Sequence, residues 1–173
     1  MPRSLADGKT KFTVLTTKPE DPKNPTADEL NAGIHLECNV LDSDFLWGAT
    51  DSDKIAEKPL CAKGNQNALG PSNFQGGATI FREFDENGAP DPDDDTPFET
   101  MKRKGTELYG FARKTGKDAD EDWDEDDEVY LGARFITDEP QPPSDLGGYI
   151  KYRVPFEIQD AYPFIKVAAG SGG

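Results

Sequence analysis

The sequence predicts a mainly β protein, a β-sandwich with one flanking α-helix. Two segments carry the clearest signal, because apolar and polar residues alternate strictly along Ile34–Val40 and along Tyr149–Ile158. Such alternation is typical of strands that pack one face on a core and leave the other face in water. The third observation is that helical patterns are rare, since only one segment combines a cap, an apolar face and a stop.

That segment is 95–104, where Asp95 or Thr96 can cap the helix and Pro97 suits its first turn. Phe98 and Met101 share one face. Gly105 is a helix stop, and Lys102, Arg103 and Lys104 would lie at the negative end of the helix dipole. A one-turn helix is predicted at Thr26–Leu30, which has the spacing of a capping box and ends before Gly33.

The remaining strands are predicted from weaker patterns. Pro155 lies inside the last strand pattern, and a proline donates no ladder hydrogen bond. We therefore expect that strand at a sheet edge, or with a bulge at the proline. The weaker strand patterns cover Lys11–Thr17, Ala78–Phe84, Glu107–Lys114 and Val129–Thr137.

The chain of 173 residues is expected to form one domain over residues 1–169, with a flexible Gly-Ser-Gly-Gly end at 170–173. Residues 41–74 show little pattern and predict one long loop. Residues 116–128 predict an acidic hairpin loop, because they join two predicted strands.

The net charge of −15 is concentrated in two segments. Glu83–Glu99 holds eight acids and Asp118–Glu128 holds nine, with no Lys or Arg in either. The rest of the chain is close to neutral. A protein with this charge is not expected to bind nucleic acid by neutralising phosphates.

A calcium loop of EF-hand type does not fit the second acidic segment. Such a loop needs Gly at its sixth position and Glu at its twelfth. Counting from Asp118, these positions hold Trp123 and Val129. We expect no specific metal site there.

Enzyme chemistry is not expected either. Gly110–Asp118 resembles a phosphate-binding loop, but five residues separate its glycines and Asp118 stands where Ser or Thr is needed. His35 is the only histidine and lies on the polar face of a predicted strand, so a catalytic triad is hard to build. The sequence therefore predicts neither catalysis nor a cofactor.

The cysteines and the apolar runs indicate the compartment. Cys38 and Cys61 are too few for a disulfide framework, and we expect buried or half-buried free thiols rather than a bridge. No apolar run approaches the roughly 20 residues of a membrane span, and the N-terminus lacks a signal peptide. We expect a soluble cytoplasmic protein without membrane insertion.

Four stretches, taken in succession, cover nearly the whole chain. They are ADGKTKFTVLTTKPEDPKNPTADELNAGIHL (6–36), CAKGNQNALGPSNFQGGATIFREFDENG (61–88), FETMKRKGTELYGFARK (98–114) and TDEPQPPSDLGGYIKYRVPFEIQ (137–159). Together they resemble the major tail proteins, or tail tube proteins, of long-tailed bacteriophages, most closely those of phages infecting actinobacteria.

The resemblance implies a structural virion protein with a tail-tube-type β-sandwich. Its members close into hexameric rings with a continuous β-barrel lumen, and the rings stack into the tube through which the genome is ejected. The implied partners are other copies of the chain, the tape-measure protein, and the tail terminator and tail-tip proteins. Double-stranded DNA would pass without specific binding. The implied locations are the virion and, during assembly, the host cytoplasm.

On this interpretation the acidic segment is a charged loop at a tube surface. It projects into the lumen and repels DNA, or it faces outward or the next ring and pairs with basic residues such as Lys102–Lys104, or it is a solvated loop that aids solubility. Its acids are Asp118, Asp120, Glu121, Asp122, Asp124, Glu125, Asp126, Asp127 and Glu128.

Two further sets of residues are candidates for assembly. The loop at 41–74 is expected to bridge rings through Phe45, Leu46, Trp47 and Phe74, unless these residues pack over the core of their own subunit. Candidates for the lumen surface are Asp28, Glu37, Glu83 and Glu157.

Two other functions compete with a tube subunit. One is a different ring-forming tail component, such as a terminator or connector, which forms a single ring and stops. The other is a monomeric β-sandwich binding module that uses its acidic loops for cations.

Overall fold

The computed structural model describes residues 2–170, and its main body is one antiparallel sheet of seven strands in the order β2-β1-β7-β8-β9-β6-β3. Neither helix of this range has the length and apolar character that crossing a membrane requires. Of the predicted flexible end at 170–173, Ser171–Gly173 lie outside the described residues. The elements are β1 (Thr10–Leu15), α1 (Ala27–Asn31), β2 (Ile34–His35), β3 (Val40–Thr50), β4 (Lys54–Ile55), β5 (Ala68–Leu69), β6 (Asn73–Phe81), α2 (Thr96–Met101), β7 (Glu107–Lys114), β8 (Glu128–Thr137) and β9 (Lys151–Lys166).

Both predicted helices are confirmed. α1 has the predicted capping box, in which Thr26 Oγ1 accepts from Glu29 N at 3.1 Å and the Glu29 carboxylate accepts from Thr26 N at 3.0 Å. α2 is shorter than the predicted 95–104, but its Phe98 and Met101 are buried as expected. The Asp95 side chain does not cap α2. It accepts hydrogen bonds from the Arg82 guanidinium and from Glu83 N instead.

The sheet is curled, so that its two ends face each other. The Phe12 ring on β1 lies 5.1 Å from Phe45 and 4.9 Å from Trp47, both on β3 at the far end of the strand order. Trp47 Nε1 also donates to Leu131 O on β8 at 2.8 Å. The predicted mainly β fold is confirmed, and both layers of the expected sandwich are formed by this single curled sheet.

Glycine makes the close approach of the layers possible. A Cβ atom on Gly110 of β7 would lie 2.8 Å from the Trp47 ring and 3.0 Å from the Phe135 ring. Any side chain at this position would push β3 away from β7. Register shifts next to Phe45 on β3 and Phe135 on β8 add local twist, which also favours curling.

Strands β1 and β7 are buried on both faces. Their inner face packs on the core that contains Phe12 and Trp47. Their outer face carries Leu15 and Phe111, which pack in a second apolar cluster with Leu30 of α1. Strands covered on both sides lose the alternation that marks a half-buried strand, which explains why their sequence patterns were weak.

Two predictions about residues 34–74 are wrong. Ile34–Val40 is not one strand, because β2 ends at His35 and residues 37–39 form a turn before β3. Residues 41–74 are not one loop, because residues up to Thr50 belong to β3 and β6 begins at Asn73. The exposed remainder, residues 51–72, is called the arm below.

Pro155 lies in a central strand, between β8 and β6, so the predicted edge position is wrong. The predicted bulge is not there either, because Pro155 keeps a regular partner in Gly77 of β6. Pro155 O accepts from Asp138 N at 3.0 Å, just after β8 ends. In an antiparallel strand the N–H and C=O of one residue point toward the same neighbouring strand. The side of Pro155 that lacks an N–H donor is therefore the side that faces the end of β8.

Cys38 and Cys61 are free, as predicted, but both are exposed rather than buried. Each lies in an irregular segment, Cys38 in the turn before β3 and Cys61 in the arm. Their accessibility makes both thiols available to reagents in solution.

Candidate assembly surfaces

The acidic loop, residues 115–127, joins β7 and β8, which pair side by side in antiparallel register. The predicted hairpin loop is therefore confirmed. Eight of the nine acids from Asp118 to Glu128 are exposed. The ninth, Asp127, is only 9% exposed, so its prediction as a surface residue is wrong.

A buried arginine fixes the path of this loop. Arg113 on β7 is fully covered, and its guanidinium donates to the backbone carbonyls of Asp118, Glu121 and Asp122 at 2.9 to 3.0 Å. It also donates to the Asp127 carboxylate at 2.9 Å. A guanidinium has five N–H donors in a fixed plane and can therefore bind several carbonyls at once. The loop wraps around this one cation. No pattern in the sequence marks Arg113 for this role.

Trp123 docks the same loop on the sheet. Its side chain is 1% exposed, and its Nε1 donates to Thr13 Oγ1 on β1 at 2.8 Å. Asn31 of α1 accepts from Trp123 N at 2.8 Å and donates to Trp123 O at 3.0 Å. Thr13 Oγ1 also lies 2.9 Å from His35 Nδ1, which places the only histidine in this network. The sequence signal for Trp123 was one large apolar residue in a run of acids.

Lysines within the chain neutralise part of the loop. Lys117 Nζ lies 2.6 Å from Asp127 and 2.9 Å from Asp124, and these hydrogen bonds raise the pKa of Lys117. Lys9 pairs with Asp118. Lys102, one of the basic residues predicted to receive the loop, pairs with Glu99 of its own helix. Within residues 2–170 no group of three or more His, Cys, Asp or Glu is arranged to hold a metal ion.

The four candidate lumen acids lie on different elements. Glu157 is exposed on β9, Asp28 is exposed on α1, and Glu83 is exposed just after β6. Glu37 is different, because its side chain is 7% exposed and accepts from Lys11 Nζ at 2.7 Å. Glu37 is therefore a poor candidate, since a covered carboxylate presents little charge to a channel.

A polar face runs across β3, β6 and β9 on the side away from the core. Thr79 on β6 pairs with Arg153 on β9 and donates to Asp44 on β3, so these three side chains share one face. Two residues earlier on β6, Gly77 pairs with Leu46 on β3 and with Pro155 on β9, so these residues lie on the same face. We call this surface the polar face. Its members are Asp44, Leu46, Gln75, Gly77, Thr79, Arg153, Pro155 and Glu157.

The predicted ring-bridging side chains divide between core and surface. Trp47 is 5% exposed, and the half-buried Phe45 and Phe74 pack against the same core. In this structure these three residues pack in their own subunit, which is the alternative that the sequence left open. Leu46 is 37% exposed and lies on the polar face.

The arm is the most exposed long segment between two strands. Its regular structure is one short pair of antiparallel strands, in which Lys54 and Ile55 of β4 pair with Leu69 and Ala68 of β5. Leu60 near its tip is completely exposed. Ile55 and Leu69 of the arm are exposed as well.

Comparison with protein families gives a match over residues 1–171 to the family described as phage tail tube protein. Comparison with curated proteins gives no match. The family match extends over both the curled sheet and the arm.

Proposed function

This chain belongs to the phage tail tube protein family, and from that premise we propose that its copies form hexameric rings that stack into the conduit for genome ejection. As a member of the family it is a structural protein of the virion tail that associates with itself into a tube. The hexamer, the ring stacking and the passage of the genome are the proposal.

The polar face supports a lumen position for β3, β6 and β9. A channel through which DNA passes needs a wall of regular backbone whose side chains are solvated. An antiparallel sheet that packs one face on a core and exposes the other face to water forms such a wall. Gln75 and Glu157 are exposed there, while Asp44 and Arg153 lie 3.6 Å apart and offset each other. We propose that Glu157 faces the DNA and disfavours phosphate binding.

Strand β3 supports ring closure. It has eleven residues and is the last strand of the sheet order, so one side of its backbone meets no strand within residues 2–170. A long free edge exposes donors and acceptors that another strand satisfies. We propose that a neighbouring copy pairs with this edge and continues the sheet around the ring.

The position of the acidic loop favours the outside of the tube. The loop covers the outer face of β1 and β7, whereas the polar face lies on β3, β6 and β9. These two outer faces point in opposite directions, because the sheet is curled around the core between them. If the polar face lines the lumen, the acidic loop faces outward.

The remaining parts of the proposal rest on the family resemblance alone. We propose that the tube encloses a tape-measure protein and ends on terminator and tail-tip proteins. We also propose that it assembles in the cytoplasm of an actinobacterial host. DNA passes through without specific binding.

Negative-stain electron microscopy of the purified protein, across a concentration and salt series, tests the proposal. We expect hollow tubes or stacked rings with a central channel. Single rings that never stack contradict a tube subunit and favour a terminator or connector. Monomers at every condition contradict self-assembly of this chain, and stabilisation of those monomers by calcium supports the cation-binding module.

Charge reversal separates the lumen from the outer surface. Glu157→Lys on the polar face is compared with Asp120→Lys on the acidic loop, since both residues are exposed. We expect tubes of Glu157→Lys to retain short duplex DNA at low salt, because a ring of lysines releases counterions. Tubes of Asp120→Lys should not protect DNA from added nuclease, because the substituted residue lies outside the channel. Equal nuclease protection in the two variants contradicts the assignment of the faces.

A further inference from the structure

A cavity of about 330 Å³ opens where the starts of β1 and β3 face each other. Its apolar wall is formed by Phe12, Val40 and Phe45. The charged part of the lining consists of three acids, Asp7, Glu37 and Asp42, and one base, Lys114, so the acids are in excess. An apolar cavity with acidic groups suits a ligand that carries both an aliphatic part and a positive charge.

Glu37 gives this cavity an unsatisfied acceptor. Its carboxylate is more than nine-tenths buried, and Oε1 accepts from Lys11 Nζ. Oε2 is buried and has no hydrogen-bond partner within residues 2–170. A buried polar atom without a partner is costly, so a donor that enters the cavity and reaches Glu37 stabilises this site.

The tip of the arm has the matching chemistry. Residues 58–72 contain Lys58 and Lys63 and no acid, in a chain whose net charge is −15. Leu60 lies between these two lysines and is completely exposed. The tip therefore presents an aliphatic side chain flanked by two ammonium groups.

The cavity and the arm lie at opposite ends of β3. Asp42 lines the cavity near the start of the strand, and the arm leaves the strand after Thr50. Eight residues at ~3.3 Å each place these points about 26 Å apart. A contact between one end of a subunit and the opposite end of another is heterologous, and such a contact either closes into a ring or repeats without closing. In the proposed tube the ring closes through β3, so this contact is left to join consecutive rings.

We propose that the arm tip of one copy, Lys58–Lys63, docks in this cavity of a copy in the adjacent ring. Leu60 packs against Phe12 and Phe45, and a lysine ammonium donates to the carboxylates of Glu37 and Asp42. This inference rests on the proposed tube, to which it adds the identity of the two surfaces that join consecutive rings.

The two cysteines test the docking directly, because one neighbours each surface. Cys38 follows Glu37, Cys61 follows Leu60, and both thiols are exposed and free. Tubes of the full chain are treated with a short bis-maleimide and separated under denaturing conditions. We expect a ladder of covalent oligomers, because each chain offers Cys61 to one neighbour and Cys38 to another.

Single-cysteine variants are the matched controls. Tubes of Cys38→Ser alone and of Cys61→Ser alone should give no ladder, whereas a mixed tube of the two should give cross-linked dimers and nothing longer. Dimers in Cys38→Ser alone indicate contacts between arms and overturn the docking. A wild-type sample that shows tubes without a ladder overturns the docking and leaves the tube proposal standing. A sample without tubes contradicts the tube proposal itself.

Charge reversal gives an independent measurement. Asp42→Lys changes an exposed acid at the cavity, and Lys58→Glu with Lys63→Glu reverses the arm tip. Each protein alone should lose tube formation, because like charges meet at every ring junction. Mixing the two should give tubes that contain both chains. Tubes formed by either variant alone as readily as by the wild type overturn the docking.

Discussion

Arg113 is the residue on which the arrangement of the acidic loop depends. It is fully buried on β7, and its guanidinium binds three loop carbonyls and the Asp127 carboxylate. A charge at this depth is tolerated because it is paired and hydrogen-bonded. Most of the loop's acids remain exposed because the loop uses its backbone, rather than its carboxylates, to solvate this cation.

Replacing this arginine should destabilise the protein strongly. Arg113→Met keeps an aliphatic stem but leaves Asp127 and the loop carbonyls without their donor, and we expect a loss of about 3–5 kcal/mol in the free energy of unfolding. Urea denaturation measures it. Arg134→Met is the control, because Arg134 makes its ion pairs at the surface and its loss should change the midpoint little. Equal midpoints in the two variants contradict this role for Arg113.

Asp127 should make stability depend on acidity. Burial raises the pKa of its carboxyl, whereas hydrogen bonds from Lys117, Asp124 N and Arg113 lower the pKa. The lowering is larger than the increase, so the pKa of Asp127 in the folded state lies below its usual value. A lowered pKa in the folded state stabilises the protein above the unfolded value of about 3.9, and this contribution is lost as the pH falls through the folded value.

The variant Asp127→Asn removes this titration. We expect it to be less stable than the wild type at neutral pH, with a difference that shrinks once the pH falls below about 4. Denaturation midpoints across a pH series measure the difference. Asp120→Asn, at an exposed position of the same loop, should follow the wild type throughout. A difference for Asp127→Asn that does not vary with pH contradicts the assignment.

At the scale of elements, the main feature is the contact between the two ends of one sheet. β3 reaches the layer of β1, β7 and β8 through Trp47, which touches Phe12 and donates to Leu131 O. The contact is possible because β7 has a glycine, Gly110, where it faces Trp47. The curl in turn leaves the outer face of β1 and β7 to be covered by α1 and the acidic loop.

A methyl group at Gly110 should therefore destabilise the curl. Gly110→Ala places Cβ against Trp47 and Phe135, and overpacking of this kind costs about 1–3 kcal/mol. Gly48→Ala is the matched control, since a Cβ atom at Gly48 on β3 meets nothing within 4 Å. Thermal unfolding of both variants measures the effect. Similar melting temperatures would show that β3 does not pack on β7 in solution.

At the scale of the whole molecule, charge and assembly oppose each other. The chain carries −15, and a hexamer of such chains would carry roughly −90. Eight of the nine acids of the segment Asp118–Glu128 are exposed in the folded subunit, so most acids of this segment face solvent. Repulsion between free subunits is then a brake on assembly.

High salt should release this brake. Screening shortens the reach of exposed charges to about 10 Å at 0.1 M salt and ~3 Å at 1 M, so tubes should form at lower protein concentration as salt rises. Light scattering with electron microscopy measures the threshold. A variant with Asp120, Glu125 and Asp126 changed to amides should need less salt than the wild type. Assembly that does not respond to salt contradicts subunit repulsion as the brake.

Some elements of the fold are encoded by neighbouring residues and can be predicted from the sequence, whereas others cannot. β7 and the capping box of α1 were predicted correctly, because their signals lie in residues that are neighbours along the chain. β3 was missed, because Asp, Ser and Gly residues interrupt its apolar positions. The single histidine was expected on the polar face of a strand, and the structure shows it half-buried and joined to the network of Trp123 through Thr13.

The sequence by itself determined the β class, both helices, the acidic hairpin and, through four successive stretches, the resemblance to tail tube proteins. Only the tertiary structure decided that one sheet forms both layers, that Arg113 and Trp123 fix the acidic loop, and that Glu37 lines a cavity while Glu157 lies on the polar face. The physical reason is the range of the interactions. Periodicity and capping act between residues a few positions apart, whereas burial and pairing depend on which distant strands and loops meet.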